Sequence, residues 1–236
     1  MDLERLRREF PARRIDYYPA IDSTMRAAVG LEQGSVVLAG QQTAGQGRHG
    51  RSWHSEPESG IYCSVVLKPA PALTLALGLA TADAIQRATG MVCDLRWPND
   101  VMLAGKKVAG ILVRVADGNA IAGIGINVNH TSFPPHLASE ATSLRLHTDA
   151  PVSLTAILLH LLPAIDTFVE LDKDTILRLF ARASSYAAGR RVTVARPDGI
   201  VEGTTAGLDP AGFLIVRKDD GTDTLIVAGG VRAAGS

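Results

Sequence analysis

Four short apolar segments in the middle of the chain follow one another closely, and this arrangement limits the fold more than any other feature. The segments cover residues 92–97, 101–103, 107–115 and 120–128. The dipeptides Ala104-Gly105 and Asp117-Gly118 separate the last three, and such pairs are typical of β-hairpin turns. Strands joined by tight turns pair antiparallel. We therefore predict a mixed, largely antiparallel sheet rather than a doubly wound one.

Helices are predicted on both sides of this region. Apolar residues recur at helical spacing over residues 73–90, and the same spacing returns within 152–186. Further predicted elements are a short N-terminal helix, strands at 15–18, 35–40 and 61–68, and a helix over 25–31 that Asp22 or Ser23 caps and Gly34 ends. The fold class is therefore α+β, with helices flanking the sheet.

The composition changes near Ala188-Gly189. Short β-like runs follow at 191–195, 200–206, 213–217 and 224–227, with turn sequences at 197–199, 209–212 and 219–221. Four or five short strands at this spacing predict a small β-barrel. We expect two domains, residues 1–187 and 188–236.

Charge and cysteine content limit the partners and the compartment. The formal net charge is zero, which argues against broad electrostatic binding to nucleic acid or to an anionic membrane. The sequence shows neither a signal-peptide core nor an apolar stretch of bilayer-spanning length. Cys63 and Cys93 lie in apolar runs, which favours buried free thiols and a reducing compartment. We expect a cytoplasmic protein with no nucleic-acid or membrane partner.

A polar, glycine-rich loop over residues 41–60 contains two familiar patterns. Gly45, Gly47 and Gly50 match G-x-G-x-x-G, and the same stretch resembles a P-loop with Arg51 in place of lysine. Both motifs require a helix directly after the glycines, and the residues that follow here are a poor helix start. Neither nucleotide-binding fold is therefore predicted.

The chemistry of this loop still suits an anion. Closely spaced glycines let backbone N–H groups approach a ligand, and Arg48 and Arg51 supply forked cationic donors for phosphate or carboxylate. The alternative is a solvated loop with two surface arginines.

The segment Arg96-Trp-Pro-Asn-Asp100 ends a predicted strand at a turn. Asn99 can read an adenine edge, and Asp100 can hold Mg²⁺ or a water molecule. The hairpin that follows can return Lys106 or Lys107 to this turn. The alternative is an ordinary Asn-Asp turn with a solvent-facing pair of lysines.

Two glycines, Gly123 and Gly125, interrupt the apolar strand that ends near Asn127. Glycine inside a strand often marks the close approach of another backbone or of a ligand. Asn127 needs a polar partner if it is buried. The alternative here is a bulge with a satisfied core asparagine.

Histidine chemistry and nucleophilic catalysis find little support. The histidines show no ligand spacing, and neither C-x-x-C nor G-x-S-x-G occurs in the sequence. His49 and His54 share the loop without a cysteine partner. We therefore do not expect a metal site built on histidine.

Five motifs in one order carry a resemblance to a known family. They are Ile-Asp-Ser-Thr at 21–24, Gln-Thr-Ala-Gly-Gln-Gly-Arg-His-Gly-Arg-Ser-Trp at 42–53, Arg-Trp-Pro-Asn-Asp at 96–100, Lys-Val-Ala-Gly-Ile-Leu at 107–112 and Gly-Ile-Asn-Val-Asn at 125–129. Together they closely resemble the biotin–protein ligases. The resemblance covers essentially the whole chain and implies a class II synthetase-like catalytic domain followed by an SH3-like C-terminal domain.

The resemblance also implies an activity and a set of site residues. It implies a ligase that uses ATP and Mg²⁺ to form biotinyl-5′-AMP and transfers biotin to a lysine of a biotin carboxyl carrier protein. The catalytic residues would be Lys107, Arg48 and Arg51. Biotin would contact Ser23, Thr24, Met25, Gln42, Gly45, Gln46, Gly47, Arg48 and Lys107, while ATP would contact Arg48, Arg51, Trp53, Asn99, Lys107 and Asn127. Asp100 is the candidate Mg²⁺ ligand.

Three positions depart from the family pattern. Met25 stands where Asn is common, Gln46 where Arg is frequent, and Arg96 where Lys is usual. The first change puts one polar contact in doubt, the second removes a charge, and the third keeps the charge with a different geometry.

Several alternatives remain at this point. Too few residues precede the Ser23-Thr24 motif for the helix-turn-helix domain of the repressor members, so we expect a monofunctional ligase without operator binding. A homodimer is compatible with the family. A lipoyl or octanoyl transferase shares the fold, but its Arg-Arg…Gly-Gly-Gly…His signature is missing from the sequence. A biotin-binding module would not need Arg48, Arg51 and Lys107 together, and an SH3-like interaction protein would explain only the C-terminal part.

Overall fold

The computed structural model describes residues 1–196 and 199–234, and its larger sheet has seven strands. These are β1 (Ile15–Tyr18), β2 (Val36–Ala39), β3 (Gly60–Leu67), β4 (Asp94–Arg96), β5 (Asp100–Leu103), β6 (Lys106–Ala116) and β7 (Asn119–Asn127). The spatial order is β1-β2-β3-β7-β6-β5-β4. Only β1 and β2 pair in parallel in this sheet of the described chain. The predicted mixed, largely antiparallel sheet is therefore confirmed.

Tight turns connect β5 to β6 and β6 to β7, as predicted. Ala104 and Gly105 have φ values of 49° and 78°, and Asp117 and Gly118 have values of 50° and 75°. Positive φ at both central residues is the requirement of a type I′ hairpin turn. These turns place β6 between β5 and β7, so that residues of all three strands contribute to one face.

Helices cover this sheet and enclose its core. They are α1 (Leu3–Glu9), α2 (Thr24–Ala27), α3 (Leu73–Thr89), α4 (Leu154–Val169) and α5 (Lys173–Ala183). The apolar side chains of α3 and α4 pack on each other and on the sheet, and most of them are fully buried. In the described parts of the chain, no helix is both long enough and apolar enough to span a membrane.

The helix α2 is shorter than the predicted helix over 25–31. It ends at Ala27, because the chain turns away at Gly30, whose φ is 80°. Ser23 occupies the N-cap position, but its hydroxyl makes no capping bond. Asp22 does not cap the helix either; its carboxylate accepts hydrogen bonds from the Ser23 amide and from Arg26.

The smaller sheet has five antiparallel strands in the order β11-β10-β9-β8-β12. They are β8 (Ala188–Arg196), β9 (Gly199–Leu208), β10 (Leu214–Arg217), β11 (Asp223–Ile226) and β12 (Gly230–Ala233).

The last strand, β12, had no counterpart among the four predicted runs. The predicted turn at 197–199 and the end of the predicted second domain lie partly outside the described residues. A domain boundary at 187/188 stays a proposal, which the start of β8 supports.

Trp97 connects the two sheets. It follows β4 directly, is 3% exposed, and its Nε1 donates a hydrogen bond of 2.9 Å to the carbonyl oxygen of Gly212. The end of α5 also meets β4, because the Ser184 hydroxyl donates to the carbonyl oxygen of Leu95 at 2.6 Å. Because buried polar groups need partners, the bond from Trp97 helps to set how the small sheet meets the end of β4.

We expect Trp97→Phe to lower the free energy of unfolding by about 2–4 kcal/mol. The unpaired Gly212 carbonyl costs about 1–3 kcal/mol, and the smaller ring leaves a cavity. Urea unfolding measures the change. Tyr18→Phe, at a residue 37% exposed, is the aromatic control and should change the free energy by less than about 0.5 kcal/mol. Equal losses in both variants would contradict the role of Trp97.

Candidate active site

A cavity lies over the centre of the large sheet, between α2, the glycine-rich loop and the faces of β6 and β7. Its lining includes ten of the predicted site residues: Ser23, Thr24, Met25, Gln42, Gln46, Gly47, Arg48, Trp53, Asn99 and Lys107. A wider cavity adjoins it, shares Arg48, Trp53, Asn99 and Lys107, and adds Arg51, Asp100 and Asn127. Gly45 is absent from both linings. The predicted residues therefore converge in space.

One end of the first cavity is a network of hydrogen-bonding side chains. The Thr24 amide and hydroxyl donate to Gln42 Oε1 at 2.9 and 3.1 Å, and the Thr24 hydroxyl lies 2.8 Å from that of Ser64. Ser23 and Thr24 are both 2% exposed. Buried donors and acceptors of this kind suit a small polar group of a ligand.

Ser64 is a member of this network that sequence analysis missed. It lies on β3 and is fully buried. The sequence did contain a sign of this role, because Ser64 is the one serine or threonine in a strand that is otherwise mostly apolar. A buried hydroxyl needs a partner, and Thr24 supplies it.

The glycine-rich loop folds back on itself beside the cavity. The Trp53 amide donates to the carbonyl oxygen of Gly45 at 2.9 Å, and the Gly47 amide donates to that of Arg51 at 2.7 Å. A Cβ atom on Gly45 would lie 3.0 Å from the Trp53 carbonyl oxygen, so this position suits glycine. Residues Arg48–Gly50 form a single 3₁₀ turn, and no helix occurs over residues 51–59. The prediction that no helix follows the glycines, on which the P-loop was rejected, is therefore confirmed.

Arg48 reaches from this loop to the turn before β5. Its Nη1 donates a hydrogen bond of 3.0 Å to Asn99 Oδ1, and Asn99 Nδ2 in turn donates to the carbonyl oxygen of Ile111 at 3.1 Å. Burial lowers the pKa of Arg48, Asp100 opposes this effect, and the charge of Arg51 adds to it. A partly buried guanidinium beside a second one favours an anionic ligand.

Asp100 stands at the centre of an ion-pair group. Its Oδ1 lies 2.6 Å from Lys107 Nζ, and its Oδ2 lies 2.8 Å from Arg96 Nη2. Lys107 Nζ also lies 5.4 Å from the centre of the Trp53 ring. The prediction that the hairpin returns a lysine to the Asn-Asp turn is confirmed for Lys107. Lys106 instead donates to the carbonyl oxygen of Ala138.

The candidate Mg²⁺ role of Asp100 does not fit this arrangement. Both carboxylate oxygens already face a cationic side chain within 2.8 Å. A Mg²⁺ ion would have to displace Lys107 or Arg96, and Mg²⁺ demands a near-ideal octahedral shell of oxygen atoms. Asp100 therefore positions Lys107, and we derive no metal step through it.

Three glycines make room for the cavity on β6 and β7. A Cβ on Gly125 would overlap the Trp53 indole, and one on Gly110 would lie 2.8 Å from Lys107 Cε. At Gly123 the nearest atom is Met25 Sδ, also at 2.8 Å. The two strand glycines predicted to mark the close approach of a backbone or a ligand are approached by side chains instead, Met25 at Gly123 and Trp53 at Gly125. Gly110, within an apolar run, was not predicted.

Asn127 is a buried asparagine with a protein hydrogen-bond partner, as the alternative interpretation of the sequence expected. It is 4% exposed, and its Nδ2 donates to the carbonyl oxygen of Thr142 at 3.1 Å. It still lines the wider cavity. Trp53 differs, because its Nε1 is buried and has no hydrogen-bond partner among the described residues. Such an unpaired donor beside a cavity is suited to a ligand.

Family comparisons agree with this geometry. Residues 17–130 match the Biotin/lipoate A/B protein ligase family, and residues 188–231 match the biotin protein ligase C terminal domain. The first match contains the residues predicted for biotin and ATP, and the second coincides with the smaller sheet.

Individual relatives are similar over nearly the whole chain. The biotin–[acetyl-CoA-carboxylase] ligase of Mycobacterium tuberculosis is 35% identical, with 89% of this chain and 82% of the relative covered. The bifunctional ligase/repressor BirA of Bacillus spizizenii is 31% identical, with 92% and 73% covered. The biotin protein ligase from Aquifex aeolicus in complex with biotin and ATP is 28% identical, with 94% and 99% covered and a TM-score of 0.86.

We expect Gly125→Ala to push Trp53 out of its place over β7. The added methyl group overlaps the indole, and overpacking of this kind costs about 1–3 kcal/mol of unfolding free energy. Acrylamide quenching of tryptophan fluorescence should increase, because the other tryptophan, Trp97, stays buried. Gly123→Ala is the control, since the flexible Met25 side chain can give way. Unchanged quenching in a folded Gly125→Ala protein would contradict this packing.

Proposed function

This chain belongs to the biotin protein ligase family and is a ligase, and we propose that it joins biotin to a specific lysine of a biotin carboxyl carrier protein in two steps driven by ATP. One observation carries the proposal. A single cavity combines a hydrogen-bonding end at Thr24 and Gln42 with a cationic end at Arg48 and Lys107. Biotin has the same polarity, because a polar ring system stands at one end and a carboxylate at the other.

In the first step, the biotin carboxylate attacks the α-phosphate of ATP, and biotinyl-5′-AMP and pyrophosphate are formed. Two anions must meet, so cationic groups are needed where negative charge develops. Arg48, Arg51 and Lys107 are proposed for this role. The support is that Arg48 and Lys107 line both cavities and Arg51 lines the wider one.

The remaining predicted residues divide between the two substrates. Ser23, Thr24, Met25 and Gln42 would hold the biotin rings, and Gly45, Gln46 and Gly47 belong to the loop that would cover them. Trp53, Asn99 and Asn127 would contact the nucleotide. The unpaired Trp53 Nε1 and the amide groups beside the wider cavity support this division.

The glycine-rich loop would also protect the intermediate. A mixed anhydride is hydrolysed by water, and closure of a loop over it excludes water. The loop residues Gly47, Arg48 and Trp53 already line the cavity.

In the second step, the amine of a carrier lysine attacks the acyl carbon of the adenylate, and AMP leaves. The carrier supplies the nucleophile, so Lys107 acts through its charge and forms no covalent bond. The ion pair between Lys107 and Asp100 supports this role, because it holds the amine of Lys107 at the cationic end of the cavity.

Mg²⁺ enters this proposal only as the counter-ion that ATP carries, and no described residue is assigned to it. The absence of repressor activity, a cytoplasmic location and a homodimer stay predictions. The formal charge of zero supports the first of them.

The function is tested with the purified chain, biotin, Mg·ATP and an apo biotin carboxyl carrier domain. We expect the carrier to gain the mass of one biotin only when ATP is present, with one pyrophosphate released for each transfer. Lipoate in place of biotin should give no gain. Preference for lipoate would favour the related transferases, and biotin binding without pyrophosphate release would favour a binding module.

We expect Lys107→Ala to slow adenylate formation by roughly 100–1,000-fold, the usual loss when one preorganised charge-stabilising group is removed. The fold should persist, because Arg96 still neutralises Asp100. The matched control is Lys106→Ala, since Lys106 is exposed, points to Ala138 and lines neither cavity. Pyrophosphate release and thermal unfolding are measured on both. Equal rates in the two variants would overturn the role of Lys107.

A further inference from the structure

A second group of chemically reactive side chains lies next to the glycine-rich loop. One ligand atom each from His54, Glu56 and His130 lies within 4.8 Å of the other two. His54 and Glu56 follow Trp53 in the loop, and His130 comes three residues after the end of β7. The proposed ligase reaction uses none of the three.

The hydrogen bonds of Tyr62 determine which nitrogen of neutral His130 is free. The Tyr62 hydroxyl donates to the carbonyl oxygen of Glu56 at 2.8 Å, so its single proton is already used. Its oxygen therefore accepts from His130 Nε2, which lies 3.4 Å away. In neutral His130, Nδ1 then carries the lone pair. A histidine that binds a metal commonly donates its other N–H to a protein acceptor in this way.

The lone pair of His130 Nδ1 lacks a protein partner. His130 is fully buried, and Nδ1 makes no hydrogen bond to any of the residues that the structure describes. A buried acceptor without a donor is costly unless a ligand satisfies it. The ordinary reading of a buried histidine, in which both nitrogens are satisfied by the protein, does not apply here.

The surroundings hold these side chains in place. Phe133 stacks on the His130 ring at a centroid distance of 5.3 Å, and the Ser143 hydroxyl donates to the His130 carbonyl oxygen at 2.6 Å. The amide of Asn129 donates to the carbonyl oxygen of Ser59 at 2.6 Å, which joins the end of the loop to the strand exit. A metal site needs such rigid support.

From this geometry we propose that His54, Glu56 and His130 bind one divalent transition-metal ion of the zinc class. Two imidazoles and one carboxylate are a common zinc ligand set, and they leave a fourth position for water. Ligands of a tetrahedral zinc ion lie about 3.3–3.5 Å apart, so closing the site takes movements of roughly an ångström. Mg²⁺ prefers oxygen ligands and does not suit this site. The ion would fasten the loop one residue beyond Trp53.

Titration calorimetry of the full chain with Zn²⁺, without nucleotide because phosphates chelate metals, tests the proposal. We expect one Zn²⁺ per chain. His54→Ala and Glu56→Gln should each weaken binding by at least about 100-fold, since loss of even a supporting residue costs about 10–100-fold. Both variants keep the buried His130 and its bond to Tyr62, so the fold is preserved.

The matched control is His49→Ala, which removes a histidine of the same loop that lies outside the group. This variant should bind Zn²⁺ like the unchanged chain and show the same rise of Tm with the ion. Failure of the unchanged chain to bind Zn²⁺ would overturn the proposal, as would equal binding by His49→Ala and His54→Ala. Each result is independent of biotin transfer.

Discussion

The carboxylate of Asp100 is the contact on which the cationic side of the cavity depends. Burial by itself would raise its pKa, but Lys107 and Arg96 together outweigh that effect and hold the pKa below its ordinary value. The stability that ionised Asp100 gives the folded protein is therefore fully present when the pH is above the ordinary pKa of an aspartate. It is lost as the pH falls through the lowered pKa of Asp100. Because the side chains of Asp100 and Lys107 are only 16% and 28% exposed, water screens the ion pair weakly, and the pair holds the Lys107 amine beside Trp53.

The glycines of β6 and β7 leave room over the sheet for the side chains of Lys107, Trp53 and Met25. A strand residue without a side chain weakens a sheet on its own account. Here the missing side chains are replaced by Trp53 over Gly125 and by Met25 over Gly123. The sheet thus remains packed, while the residues above it belong to a loop and to a four-residue helix rather than to a strand. The proposed function uses this combination, because the floor belongs to a sheet and the cover to the loop that would close over the adenylate.

The loop that provides the cover is fastened at both of its ends. The Glu58 amide donates to the carbonyl oxygen of Gly40, and Ser59 accepts from the amide of Asn129. Between these points Arg48 reaches Asn99, and His54 and Glu56 approach His130. The proposed metal ligand His54 directly follows Trp53, and both residues line the wider cavity. An ion bound there would therefore hold the part of the loop that carries Trp53.

Much of the fold follows from the sequence, because the spacing of apolar residues and the residues that form turns are local properties of the chain. The I′ turns at Ala104-Gly105 and Asp117-Gly118 determine the antiparallel meander, and the ordered motifs identify most of the residues that line the cavity. Helix α2 was harder to predict, because its end depends on the turn at Gly30. Only the tertiary structure decided that Lys107 rather than Lys106 reaches Asp100, that Ser64 joins Thr24, and that His130 meets His54. These pairs join residues that are separated in the chain and brought together by strand register, a long-range property that no local pattern encodes.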